Sequence, residues 1–248
     1  MKSLSIIAGL LTVAVIPAGA TSLLVLNPSF ESPACSTLGA CAGGTFSNDV
    51  VTDWTGTGGS FGFGVYEPGG TVNSVPNGVQ VAYLNTPSTL LQDVEMNGSN
   101  STDGPGATNG GTIAANTTYT LNVFVGERND LALPATYGIE LIDGQNSAIV
   151  FASNSSCTPT AGNFVSCTAS FDSAVEPTSV GDDLGVELFT TGTSGQAEFD
   201  EVSLAYVSDS VVPEPGTIGL ALLGLGALAG MWRRAAKPSL THQEPLHK

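Results

Sequence analysis

The chain has 248 residues, 22 of them Asp or Glu and 6 Lys or Arg, for a formal net charge of −16. Residues 21–212 are more extreme: twenty acids stand against one base, Arg128, and both histidines, His242 and His247, lie outside. Such a field repels nucleic acid and anionic lipid, so nucleic acid is not a partner. A region without His or Lys has no Ser-His-Asp triad, no His-based zinc site and no lysine nucleophile.

The chain opens with Met1-Lys2, an apolar run from Leu4 to Ile16, the breaker Pro17, and Ala18-Gly19-Ala20. Charge, run and small-residue site occur in the order of a secretory signal peptide, so residues 1–20 are expected to be removed after Ala20.

Short alternating segments follow. Early strand candidates are Leu23 to Leu26, Phe61 to Val65, Val79 to Leu84 and Leu90 to Val94. Tyr119, Leu121, Val123 and Val125 share one strand face, as do Val165, Cys167, Ala169 and Phe171. Tyr137 to Ile142 and Ala148 to Phe151 read as a hairpin around Asp143-Gly144. Leu184, Val186 and Leu188 follow, then Val202, Leu204 and Tyr206. About ten such strands, with turns between them and no helical period, indicate an all-β fold, a β-sandwich over residues 21–207. Met96 to Thr112 is a long polar loop, and the sequons at Asn97, Asn100, Asn116 and Asn154 mark polar surface.

Four cysteines in an exported chain read as two disulfides. Three connectivities are possible; the spacings favour Cys35–Cys41 and Cys157–Cys167 over a zinc site, which lacks histidines here.

One acid stands apart. Asp200 is in phase with Val202, Leu204 and Tyr206, so if those face the core it points inward too. A buried carboxylate needs a partner, either Arg128 or a cation. Calcium suits oxygen ligands, and Glu31, just after the first strand, is the second candidate ligand. The alternative is a hydrated Asp200 at a strand edge. Arg128 itself, among Glu127 and Asp130, reads as an ion-pair anchor.

Trp54, Tyr66 and Glu67 are candidate sugar contacts, because aromatic faces stack on sugar rings while acids bond hydroxyls. The competing reading puts Trp54 in the core. Carboxylate pairs could in principle hydrolyse glycosides, but twenty acids supply chance pairs, and solvated surface charge accounts for them.

Residues 208–216 form a linker. From Thr217 to Trp232 sixteen residues carry no charge. A helix of that length reaches ~24 Å, slightly less than a ~30 Å hydrocarbon core. Arg233 and Arg234 follow at once, which places a basic tail, 233–248, in the cytoplasm and the bulk of the chain outside.

Two resemblances attach to these residues. Pro213-Glu214-Pro215, a short apolar segment and Arg233-Arg234 resemble the PEP-CTERM sorting signal. That resemblance implies an exosortase-type processing enzyme as partner, then passage from the inner membrane to the cell surface or extracellular matrix. Ala235 to Lys248 extends further than such tails usually do. The pieces LNPSFE at 26–31, DWTGTG at 53–58, NGVQVAYLNT at 77–86, LQDV at 91–94, YTLNVFVGER at 119–128 and FDEVSL at 199–204 together resemble a galactose-binding-like jelly roll, the fold of many carbohydrate-binding modules. It implies a structural calcium near Glu31 and Asp200. The resulting expectation is a non-catalytic exported envelope protein with glycan as its candidate ligand. A structural matrix or single-pass anchored protein without a discrete ligand is the alternative, and a carboxylate-only glycoside hydrolase a remote one.

Overall fold

The computed structural model describes residues 19–38, 46–94 and 112–208. Within them lie twelve strands: β1 Thr21–Leu23, β2 Phe46–Asn48, β3 Thr55–Gly58, β4 Phe63–Tyr66, β5 Val81–Asn85, β6 Ser88–Asp93, β7 Thr117–Gly126, β8 Thr136–Asp143, β9 Val150–Asn154, β10 Phe164–Asp172, β11 Leu184–Thr191 and β12 Gln196–Ser208. They form two antiparallel sheets, a jelly-roll sandwich. The seven-stranded sheet runs β10-β7-β12-β5-β4-β2, with β1 added against the far half of β12; the five-stranded sheet runs β3-β6-β11-β8-β9.

Alternation builds the core between them. Tyr119, Leu121, Val123 and Val125 of β7 point inward, and β10 sets Cys167, Ala169 and Phe171 beside them in register. Leu184, Val186 and Leu188 of β11 close from the other sheet with Ile139 and Leu141 of β8. Burying one such aliphatic side chain stabilises the fold by ~1.5–3 kcal/mol. The expected hairpin is β8–β9, though its connection is longer than an Asp-Gly turn: Asp143 accepts from Asn146, and Ile149 closes back onto Asp143.

Two strands have no apolar alternation. β2 is Phe-Ser-Asn and β3 is Thr-Gly-Thr-Gly. β3 is held by its ladder to β6 and by a 2.7 Å hydroxyl contact between Thr57 and Thr89. Glycine at 56 is a packing requirement, since a Cβ there would lie 2.3 Å from the Phe63 ring. The strand is therefore a product of its neighbours.

β12 changes phase partway along. Its register to β7 shifts between Asp200 and Ser203, with Glu201 at φ 50°, a β-bulge. Beyond the bulge Val202 and Leu204 face the core; before it Ala197 and Phe199 do. Asp200 is buried, but on the outer face of the seven-stranded sheet and not in the core. The inward phase expected from Val202 and Leu204 fails because one extra residue flips the side-chain alternation.

The Cys157–Cys167 disulfide is present and links the segment after β9 to β10, joining the two sheets along one edge. Cys35 is also disulfide-bonded. Cys41, the long loop 96–111, the signal segment 1–18 and everything from residue 209 lie outside the described residues. So do the sorting residues Pro213, Glu214, Pro215, Arg233 and Arg234 and the apolar segment 217–232. Among the described residues no helix is long and apolar enough to cross a membrane.

Candidate functional site

Regular alternation ahead of the bulge in β12 puts Gln196, Glu198 and Asp200 on the outer face of the seven-stranded sheet. Outward positions of a sandwich are normally wet. These three are buried, because three connecting segments fold over them. Asn73 N–H donates to Gly162 O at 2.7 Å, Asn129 N–H to Thr71 O at 2.9 Å, and Gly162 N–H to Glu127 O at 2.7 Å. The β4–β5, β7–β8 and β9–β10 connections are thus laced into one cap. Beneath it lies a second apolar cluster of Tyr66, Val81 and Tyr83, with Val75 and Phe164 against it.

Glu198 is the unusual member. It sits opposite Tyr83 of β5 on one side and Gly126 of β7 on the other. Both carboxyl oxygens are buried, and no other described residue hydrogen-bonds to them. Burial drives its pKa well above the usual carboxylate range, against the opposing pull of Arg128.

Arg128 lies over this face. Its guanidinium carbon is 4.7 Å from the centroid of the Tyr66 ring, a cation–π contact. Nε and Nη2 donate to Asp130 Oδ1 and Oδ2 at 2.8 and 2.7 Å, and Nη1 donates to Gln196 Oε1 at 2.8 Å. Gln196 passes the network on, its amide donating to Asn85 Oδ1 at 3.0 Å. The expected ion pair is therefore real, but its acid is the rim residue Asp130 and not Asp200.

Glu31 and Asp200 meet the same segment from two sides. Glu31 Oε1 accepts from the backbone N–H groups of Val79 and Gln80 at 2.8 and 3.0 Å. Asp200 Oδ2 accepts from Asn77 N–H at 2.8 Å, and Oδ1 from its neighbour Glu201 at 2.7 Å. Burial pushes Asp200 up to about 7, opposed by those N–H donors and assisted by the charges of Glu31 and Glu201. Gln80 ties the segment down further: its amide donates to Phe30 O and Pro33 O, and its carbonyl accepts from Cys35. Sequence reasoning paired Glu31 with Asp200 but did not single out Gln80 or Glu198. The outward phase of Glu198 follows from the Ala197–Phe199 alternation; its burial follows only from the cap.

The candidate sugar contacts are not an open platform. Trp54 is 7% exposed; its indole N–H donates to Leu26 O at 3.2 Å and its ring lies 5.3 Å from that of Phe30. It is a core residue, as its size and one polar atom favour. Tyr66 is 1% exposed, roofed by Arg128, with its hydroxyl 2.6 Å from Thr71 Oγ1. Glu67 follows it, half-buried.

A separate acid pair lies on the outer face of the other sheet. Glu187 of β11 is directly opposite Glu140 of β8. Burial, then the charge of Glu140, raises Glu187 to about 7, while Ser153 donates to Glu140 at 2.8 Å.

Solved structures with the same fold include a Stig cyclase from Fischerella sp. TAU in complex with (3Z)-3-(1-methyl-2-pyrrolidinylidene)-3H-indole. It is 20% identical, with a TM-score of 0.59, covering 77% of this chain and 100% of that one. A cyclase from the same source in complex with 4-(1H-indol-3-yl)butan-2-one gives 19% identity and a TM-score of 0.57 over 77% of this chain and 100% of that one. The TmCBM61 module bound to β-1,4-galactotriose is more remote, at 13% identity and a TM-score of 0.43 over 74% of this chain and 98% of that one. The two cyclase likenesses concern the fold alone. No curated protein matches the chain. Residues 211–235 match the PEP-CTERM protein-sorting motif, which makes this an exported protein sorted to the cell envelope. Residues 21–205 match the HpiC1-like family, described as HpiC1 cyclase, and the chain belongs to that family.

Proposed function

We propose that the chain is a non-catalytic envelope protein, processed by an exosortase-type enzyme and placed at the cell surface or in the extracellular polysaccharide matrix, where its jelly roll binds glycan. The observation that carries the reading is the sorting motif at 211–235 behind a sandwich with neither His nor Lys. The one base of that domain, Arg128, is already engaged by Asp130, Gln196 and Tyr66. Support for a sugar comes from the outer-face assembly: an aromatic ring, the amides of Gln196 and Asn85, and the spare acceptors of Glu198. Before processing, residues 217–232 would hold the chain in the inner membrane with 233–248 inside. Fractionation of a strain expressing a Pro213-Glu214-Pro215 to Ala variant tests the delivery. Normal release of that variant to the surface would sink the sorting claim. A glycan array with the full chain tests the binding, and silence against host polysaccharide would leave a structural matrix protein.

A structural calcium belongs to the same proposal. Glu31 and Asp200 would hold it and tie the first loop to β12. The donors present are oxygens, and the charges acting on Asp200 are both negative, which suits a cation. Among the described residues no group of three His, Cys, Asp or Glu side chains is gathered, so no third acid joins Glu31 and Asp200 there. A melting temperature unmoved by EDTA and by added calcium would remove the ion.

Two observations favour a second reading, an acid-catalysing enzyme: a family described as a cyclase, and a carboxyl in Glu198 whose burial raises its pKa well above the usual carboxylate range. Incubation with indolic substrates of the kind bound by the Fischerella cyclases separates the two. A product made by the wild type and not by Glu198→Gln would replace the first reading.

A further inference from the structure

Glu198 has hydrogen-bonding capacity that no other residue uses among the described residues. It is 0% exposed, and neither oxygen has a partner among them. Native interiors rarely keep such an acceptor without a use, because its lost hydration is not replaced. Above it a cation is already accepted, by the Tyr66 ring at 4.7 Å from the Arg128 carbon. Yet the donors of that guanidinium go to Asp130 and Gln196, and the acid below receives none of them. The arrangement offers a cation-binding ring face and an unspent carboxyl to one small ligand group.

We infer, resting on the glycan reading above, that this site takes an amine-bearing sugar, a de-N-acetylated hexosamine. Its ammonium takes the place of the Arg128 guanidinium on Tyr66 and donates to Glu198. An ammonium has three donors and a compact charge, which suits both free oxygens. The domain's field points the same way. Twenty acids against one base across residues 21–212 repel uronate, sulfated or phosphorylated glycans and concentrate cationic ones. Gln196 and Asn85, joined at 3.0 Å, supply amide groups for ring hydroxyls. Arg128, itself 15% exposed, can yield its place by swinging outward with Asp130, a rim residue with half its side chain exposed, so that their ion pair is kept.

The test is calorimetric titration of the full chain, at physiological salt, with the trisaccharide of glucosamine, its fully N-acetylated counterpart and a neutral glucose trisaccharide. The amine-bearing trisaccharide is expected to bind about tenfold or more tighter than the other two. Glu198→Gln should remove roughly that factor for the amine alone, and Arg128→Ala should tighten its binding by clearing the ring. Where Glu198→Gln does not fold, the Arg128→Ala titration decides: unchanged or weaker amine binding overturns the inference. Equal affinity for all three sugars overturns the amine requirement and leaves the glycan reading standing. No binding by any of the three overturns the inference, and the glycan array then decides the glycan reading.

Discussion

The outer faces of the two sheets differ sharply although their backbones are alike. On the five-stranded sheet Glu187 and Glu140 stand opposite each other at half-buried positions, with Thr57 and Thr89 joined by their hydroxyls nearby. On the seven-stranded sheet the equivalent positions hold Glu198 and Asp200, and both are out of water. Strand composition does not account for this, since both faces carry acids. The cap does: three connections hydrogen-bonded to one another, with Arg128, Val75 and Phe164 reaching inward. Outward and exposed are separate properties of a sheet, and only loop length and loop pairing convert one into the other.

The contrast can be broken at its base by Tyr66→Ala. As one of the two tyrosines of the covered cluster, Tyr66 should behave as core, and its truncation should cost ~3–5 kcal/mol in chemical denaturation. A loss within about 0.5 kcal/mol, typical of surface substitutions, would show that the cap encloses nothing of consequence. Joint replacement of Cys157 and Cys167 by Ser acts where the two sheets meet, and should cost ~2–4 kcal/mol by freeing a loop that now spans a separation of 10 residues. An unchanged denaturation midpoint would mean the edge holds without its covalent tie.

Two smaller effects sharpen the comparison through pH. Glu198 and Glu187 have folded pKa values raised above the unfolded value of about 4.3. The folded state therefore binds more protons than the unfolded chain, so stability is full below about pH 4.3 and is lost as pH rises. For Glu187 the loss falls between about 4.3 and about 7; for Glu198 it runs from about 4.3 to well above the usual carboxylate range. Glu198→Gln should shrink the fall in melting temperature between pH 5 and pH 8 markedly. Glu187→Gln should shrink it less, because solvent reaches its half-buried carboxyl. Equal effects of the two variants would deny that one face is covered and the other open.

Much of the frame was legible in the residues. The alternating runs of β7, β10 and β11 are long enough to declare their inward faces, and each has one periodicity from end to end. The Cys157–Cys167 pairing followed from spacing and redox context. Trp54 followed from the weight of a large apolar ring. β3 was hidden, because Thr-Gly-Thr-Gly has no preference of its own and is recruited by β6 and by the need for space under Phe63. Trp54 and Tyr66 are both covered, for a related reason: an aromatic residue declares its wish for cover, not whether that cover is the main core or an outer cap.

The sequence by itself determined the sandwich class, the acidity of the domain, the edge disulfide and the sorting address, because each rests on local pattern or on composition. The tertiary structure was needed for the direction of Asp200 and for what lies above it and Glu198. A single extra residue at the bulge resets the two-residue period of β12, and a one-residue phase change leaves no mark in composition. Arg128 reaches Gln196 across 68 residues of chain and Asn77 reaches Asp200 across 123. Contacts at such distances are made by strand pairing and loop closure, which no short stretch of the chain encodes.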